Sequence, residues 1–203
     1  LALLGWGPPD DVEIRPIDEI VGLFRIEDVN KAAAFFDIRK LEHINATHLR
    51  ALSGEEFTDR VTPWVGEAAP WPAENFDSDR FATMAGLVQE KLRTFSDVCS
   101  FVDFLFLDDP VDDEESWKKT MVEAPSAVAV LDATAVAFAD CPWEAEVLKE
   151  AVAAAGAAVD LKLGKAQAPV RVAVTGRTVG PPLFETMAEC MERQEVLRRI
   201  ARA

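Results

Sequence analysis

The stretch VRVAVTGRTVGPPLFETM, Val170–Met187, decides how this chain is read. Its first five residues alternate with a period of two, the local signature of a half-buried strand. Its middle, Gly176-Arg177-Thr178-Val179-Gly180-Pro181-Pro182, is turn chemistry. Its end opens a run, Leu183 to Ile200, that sets Met187, Cys190, Met191, Leu197 and Ile200 largely on one side of a helix. Gly and Pro mark plain connectors more often than sites. The same loop can instead hold an Arg and several backbone N–H groups toward an anion. The rest of the chain has to decide between the two.

Outside that stretch, helical spacing dominates. Phe81, Met84, Val88, Leu92 and Phe95 predict one buried helical face, and Val128, Leu131, Ala135 and Phe138 a second. Trp143, Val147, Ala151 and Ala154 predict a third. Ser53-Gly-Glu-Glu56 is a capping box, in which the Ser oxygen and the Glu carboxylate each satisfy an orphan N–H. Pro142 and Pro169 are expected in first helical turns, where a missing N–H costs nothing. The chain therefore reads as mostly α, with VRVAV the local exception. Punctuation suggests three modules. A helical piece ends near Leu52, and a link, TPWVGEAAPWPAEN (Thr62–Asn75), leads to the helix around Leu87. The acidic run LDDPVDDEES (Leu107–Ser116) is the second link and reads as a solvated loop.

Composition narrows the function. The 203 residues, 49% of them apolar, suit one to two globular domains or several small helical modules. No apolar run is long enough to span a bilayer, and LALLGWGPPDD carries no signal-like features, so the expectation is a soluble, cytoplasmic protein with no membrane partner. The start is abrupt, without Met, and reads as a fragment. Cys99, Cys141 and Cys190 lack the spacing of a zinc site or disulfide framework, and His43 and His48 are five apart rather than four. The acidic cluster from Asp108 to Glu115 lacks a calcium-loop pattern, so no metal is expected. None of the Gly-rich phosphate loops, nucleophile elbows or His-Glu metal motifs is present, and no catalytic residue is assigned. A net charge of −15 argues against general nucleic-acid binding, DNA included. The charge is uneven, however. Residues 162–203 carry eight basic and four acidic groups, and the remainder thirteen basic against thirty-two acidic. A basic end on an acidic body permits a local anionic partner.

Four stretches together carry a resemblance. LALLGW (Leu1–Trp6), FDIRKLEHIN (Phe36–Asn45), FLFLDDPVDDEESWKK (Phe104–Lys119) and RVAVTGRTVGPPLFETM (Arg171–Met187), in that order, resemble the C-terminal half of bacterial glutamyl-tRNA synthetases. In that family a class I catalytic domain activates glutamate with ATP and Mg through HIGH-like and KMSKS-like motifs, and neither occurs here. The resemblance implies a chain beginning just after the KMSKS-like loop, with no cofactor of its own. It implies an all-α fold of consecutive small helical domains. Residues 1–55 would be the end of a stem-contact domain, and 56–113 and 114–203 two anticodon-binding domains. It also implies that VRVAV opens a helix after Pro169. The implied partner is glutamate tRNA, with glutamine tRNA a second candidate and a monomer the default. The alternative is a non-catalytic helical protein–protein interaction module.

The resemblance also implies a site. Arg171 and the loop Gly180, Pro181, Pro182 and Leu183 would lie against anticodon bases. That is physically sensible, because RNA sequence is read on unstacked bases by edge hydrogen bonds and by packing. A stiff Gly-Pro-Pro loop loses little entropy on binding, and Arg171 offers a rigid fork of donors. Lys91 matches a position where relatives that separate glutamate from glutamine tRNA carry Arg; a one-turn slip would put Gln89 or Arg93 there. Arg39, Lys40 and Arg50 would face the tRNA stem and backbone. Arg177 has no counterpart in the resemblance; its charge alone makes it a candidate backbone phosphate contact. His43 is expected to be a packed or capping side chain.

Overall fold

A computed structural model describes residues 2–31 and 35–203; Leu1, the first residue of LALLGW, lies outside the described residues. Among the described residues the regular structure is helical, without a strand. The chain divides into two compact units, Leu1–His48 and Leu49–Ala203. No single helix among the described residues is long and apolar enough to cross a membrane.

The first unit holds the short helix α1 (Ile17–Leu23), two single 3-10 turns and most of α2 (Ile38–Ala51). Trp6, only 4% exposed, packs against Phe24 with ring centroids 5.7 Å apart. The Asn30 N–H donates to the Gly5 carbonyl at 2.6 Å. Asp37 starts α2, its carboxylate accepting from the N–H groups of Arg39 and Lys40.

The second unit contains α3 (Gly54–Ala68), α4 (Ser78–Val88), α5 (Val98–Val102) and α6 (Glu114–Trp117), which runs into a π turn at Lys118–Val122. It continues with α7 (Ala127–Phe138), α8 (Ala145–Ala157), α9 (Leu163–Thr175), α10 (Leu183–Cys190) and α11 (Arg193–Arg202). The capping box forms as expected: Ser53 Oγ accepts from the Glu56 N–H at 3.2 Å, and Glu56 Oε2 accepts from the Ser53 N–H at 3.1 Å. Helices α7, α8 and α9 pack on one another, α10 on α8 and α4, and α11 on α7 and α9. One continuous apolar core runs from Leu49 to Ile200.

Several local expectations are corrected. VRVAV is helical, and α9 does not open after Pro169 but at Leu163, with Pro169 inside it. Ala166, Pro169, Val170, Ala173 and Val174 recur at steps of three and four and are all buried. Burying that stripe outweighs the single hydrogen bond that the ring removes. Likewise α3 runs through Pro63 into the expected link, because Val65 continues the buried face of Phe57 and Val61. The face at Phe81, Met84 and Val88 is right, but the helix stops at Val88 and Leu92 is buried from the following turn. In α7 the buried residues are Ala127, Val130, Leu131, Thr134 and Phe138, while Val128 is 67% exposed. In α8 they are Leu148, Val152, Ala155 and Gly156, one residue on from the predicted face. The last run is two helices, broken where Met191 turns extended.

Arginines tie these helices together. Arg80 on α4 donates to the carbonyls of Cys190 and Leu105 and pairs with Glu195 at 2.8 Å. Arg193 caps the end of α7, donating to the carbonyls of Phe138, Ala139 and Cys141. Its guanidinium also lies over the Trp143 ring, 5.3 Å from the centroid.

Candidate nucleic-acid interface

Helix α9 ends at Gly176, whose φ of 76° is left-handed. A Cβ there would meet the Val111 carbonyl oxygen at 2.2 Å, so both the conformation and the close approach require glycine. The Gly176 carbonyl accepts from the Asp113 N–H at 2.8 Å. Thr175 Oγ1 donates to the Arg171 carbonyl at 2.9 Å and also reaches the Arg177 carbonyl at 3.2 Å. Arg177 sends one nitrogen to both carboxylate oxygens of Asp103, at 2.8 and 2.7 Å, and another to the Ser100 carbonyl. The Thr178 N–H donates to Ser116 Oγ at 3.2 Å. Arg171 Nη1 donates to the Pro181 carbonyl at 2.7 Å. The loop is therefore fastened at 176, 177, 178 and 181, and Val179, 72% exposed, is its tip.

Beside the tip lies a hollow of about 360 Å³, lined by Lys91, Phe101, Gln167, Arg171 and the loop residues Thr178 to Gly180. A larger one, about 1000 Å³, is lined by Arg177, Thr178 and Val179 together with the acidic segment Val111 to Ser116. The smaller hollow offers two cations, an amide, an aromatic ring and loop backbone. Burial holds the Arg171 guanidinium below its ordinary pKa, with Glu185 pulling the other way. Lys91 is exposed on the rim. Gln89 is engaged elsewhere: its amide donates to the carbonyls of Leu49 and Leu52, both at 2.9 Å.

Of the residues nominated from sequence, Lys91, Arg171 and Gly180 meet on this hollow. Pro182 is half-buried, while Pro181 and Leu183 are turned inward, Leu183 into the core. Arg177 is spent on Asp103. Arg39, Lys40 and Arg50 are exposed along α2; Lys40 pairs with Glu13 at 2.5 Å. His43 is exposed rather than packed, as is His48. Sequence reasoning missed Gln167 and Phe101. Gln167 was within reach, since it lies one helical turn before Arg171 on the same face. Asp103 and Ser116 were not, because their loop partners are 74 and 62 residues away.

The last helix of the basic end is engaged within the fold. Arg199 is fully buried, donating to the carbonyls of Val174, Phe104 and Leu107 and pairing with Glu195 at 2.8 Å. Arg198 pairs with Asp109 at 2.5 Å, and Arg202 with Asp112 through two bonds of 2.9 Å. Asp113 caps α6 through the Ser116 N–H. The acidic run is thus no free loop: carboxylates of Asp109 and Asp112 clamp α11, and Arg198, Arg199 and Arg202 of α11 are paired within the fold.

By class, this is a chain whose described residues are helical and which presents a small, cation-bearing hollow beside a braced loop, suited to a ligand with both anionic and flat polar groups. Comparison with known proteins narrows that class. A family model described as "Anticodon binding domain" matches residues 56–203, so the chain belongs to the anticodon binding domain family. The glutamate–tRNA ligase of Thermobifida fusca is 53% identical over 206 residues, taking in 100% of this chain and 43% of the relative. That of Streptomyces griseus is 48% identical, taking in 98% of this chain and 40% of the relative. A crystal structure of a glutamate tRNA ligase from Elizabethkingia meningosepticum superposes with a TM-score of 0.76 at 26% identity, over 99% of this chain and 39% of that one. The chain spans about two fifths of the length of these relatives.

Proposed function

We propose that this chain binds the anticodon loop of glutamate tRNA as the recognition part of a glutamate–tRNA ligase, a monomer of the cytoplasm. ATP, Mg and the joining of glutamate to tRNA belong, on this reading, to a catalytic part outside the chain. The observation that carries the reading is the meeting of Lys91, Arg171 and Gly180 on one hollow beside the braced loop. An unstacked base needs a ring or apolar wall to lie against and donors at its edge, and its phosphate needs a cation. Phe101, Arg171 with Gln167, and Lys91 supply these in turn. Arg39, Lys40 and Arg50 are proposed as stem and backbone contacts on α2. Lysine is a point charge rather than a fork, so Lys91 would separate glutamate from glutamine tRNA less sharply than Arg.

The test is equilibrium binding of the chain to glutamate tRNA, to the same tRNA with an altered anticodon, and to glutamine tRNA. Arg171→Ala is expected to weaken binding by about 1–3 kcal/mol, the scale of a specific base contact, and to level the first two RNAs. Because Arg171 also braces Pro181, Lys91→Ala is run beside it as a variant that disturbs no side-chain bond among the described residues. Equal, weak binding of all three RNAs by the unaltered chain would reject the reading.

A further inference from the structure

We propose that Arg177 is a positioning residue whose pair with Asp103 sets the selectivity of the loop, and that it makes no contact with RNA. This inference rests on the anticodon-binding reading above. The Asp103 side chain is 11% exposed and that of Arg177 21%, so the pair is largely withdrawn from water and from salt screening. One nitrogen, Nη2, reaches both oxygens of the carboxylate, and the other, Nη1, donates to the Ser100 carbonyl, so both ends of the guanidinium are held. Those contacts join the loop to the end of α5 and the turn after it. The next residue is fastened separately, since Thr178 bonds Ser116 through both its N–H and its hydroxyl, the latter at 3.1 Å. With Arg171 holding Pro181 from the other side, Val179 and Gly180 are suspended between fixed points at the mouth of the hollow. A recognition group must be held to a fraction of an ångström to discriminate, and the holding falls to packed and paired residues behind it.

The two roles that Arg177 could play give opposite signs for Asp103. If Arg177 met a phosphate, removing the neighbouring carboxylate would free a cation and strengthen binding of every RNA. If the pair positions the loop, removing either member costs selectivity. The experiment measures binding of glutamate tRNA and its anticodon-altered form by the unaltered chain, Arg177→Ala, Asp103→Asn and the swap Arg177→Asp with Asp103→Arg, at several salt concentrations. Amide hydrogen exchange at residues 177–180 is followed in parallel, and circular dichroism checks folding. Both single variants are expected to lose roughly tenfold of the preference for the unaltered anticodon. They should keep the salt slope, speed exchange in the loop, and be partly rescued by the swap. Tighter binding by Asp103→Asn with selectivity intact, or a slope reduced by about 0.7 in Arg177→Ala, as one lost phosphate contact on a single strand gives, overturns the proposal. If the unaltered chain shows no anticodon preference, the anticodon reading itself fails and the inference falls with it; unchanged exchange with preference intact defeats the inference alone.

Discussion

Arg199 carries a full charge to a place where water does not reach. Burial pushes its pKa down to about 10, which still leaves it charged at neutral pH. What makes the site tolerable is its set of partners: three main-chain carbonyls from the end of α9 and the segment Phe104–Leu107, and the Glu195 carboxylate one turn back. Its Nε finds no partner, a small residual cost of placing a five-donor group in a dry core. Removing the guanidinium leaves these acceptors facing apolar atoms. Arg199→Met is therefore expected to cost about 3–5 kcal/mol in urea unfolding, the usual scale for breaking a buried pair. A loss below about 1 kcal/mol would mean that water or Arg80 replaces it.

At the scale of the element, glycines separate packing from propensity. Gly156 lies where α8 crosses α9; a Cβ there would sit 2.4 Å from the Ala166 Cβ and 3.2 Å from the Leu161 carbonyl oxygen. Gly86, on the exposed side of α4, has nothing within 4 Å. Alanine raises helix propensity at both positions by up to about 1 kcal/mol. The two substitutions should nonetheless differ in sign. Gly86→Ala is expected to stabilise by roughly 0.5–1 kcal/mol. Gly156→Ala is expected to destabilise by about 1–3 kcal/mol, since two helices must part. Thermal melts of the two variants check this, and a shared sign would refute the crossing geometry. The same elements explain what was legible in the sequence. Helices were visible because apolar residues recur every three to four positions, and the Ser53 box marked an entry because its chemistry is local. Phase was not visible in α7 and α8, where alanines and valines flank the predicted face on both sides and the neighbouring helix chooses the buried one. Nor was the path through Pro169, since the stripe that holds it is rewarded only by tertiary contact. Of the candidate site, the loop and its cations could be read from residue types. Its bracing by Asp103 and Ser116 could not, because nothing in a one-dimensional pattern marks a partner so distant.

For the molecule as a whole the question is where an acidic chain keeps its positive charge. Two carboxylates of the acidic segment sit below their ordinary value of 3.8: Asp109 through its bond to Arg198, and Asp113 through its bonds to the Ser116 hydroxyl and N–H. A carboxylate with a depressed folded pKa contributes stability that is complete above its unfolded value and is lost as pH falls through the folded one. The part of the unfolding free energy that these two carboxylates contribute should thus hold from neutrality to about pH 4 and be lost below it, so the acid loss should be less steep in Asp109→Asn. On the anticodon-binding reading, the arginines in these clamps would have to leave a carboxylate before meeting a phosphate. Net charge alone suggests that the basic end supplies the electrostatic part of binding. The pairing of Arg198 and Arg202 with Asp109 and Asp112 argues instead that α11, at least, is neutralised at home. Each phosphate met on a single strand adds about 0.7 to the slope of log affinity against log salt. Lys91→Ala is therefore expected to lower that slope by about 0.7. Arg198→Ala and Arg202→Ala should leave the slope alone and lower only the melting temperature, by freeing α11 from the acidic segment. A slope reduced by the α11 variants would mean that the clamp opens when RNA arrives and that the acidic segment competes with phosphate for the same arginines.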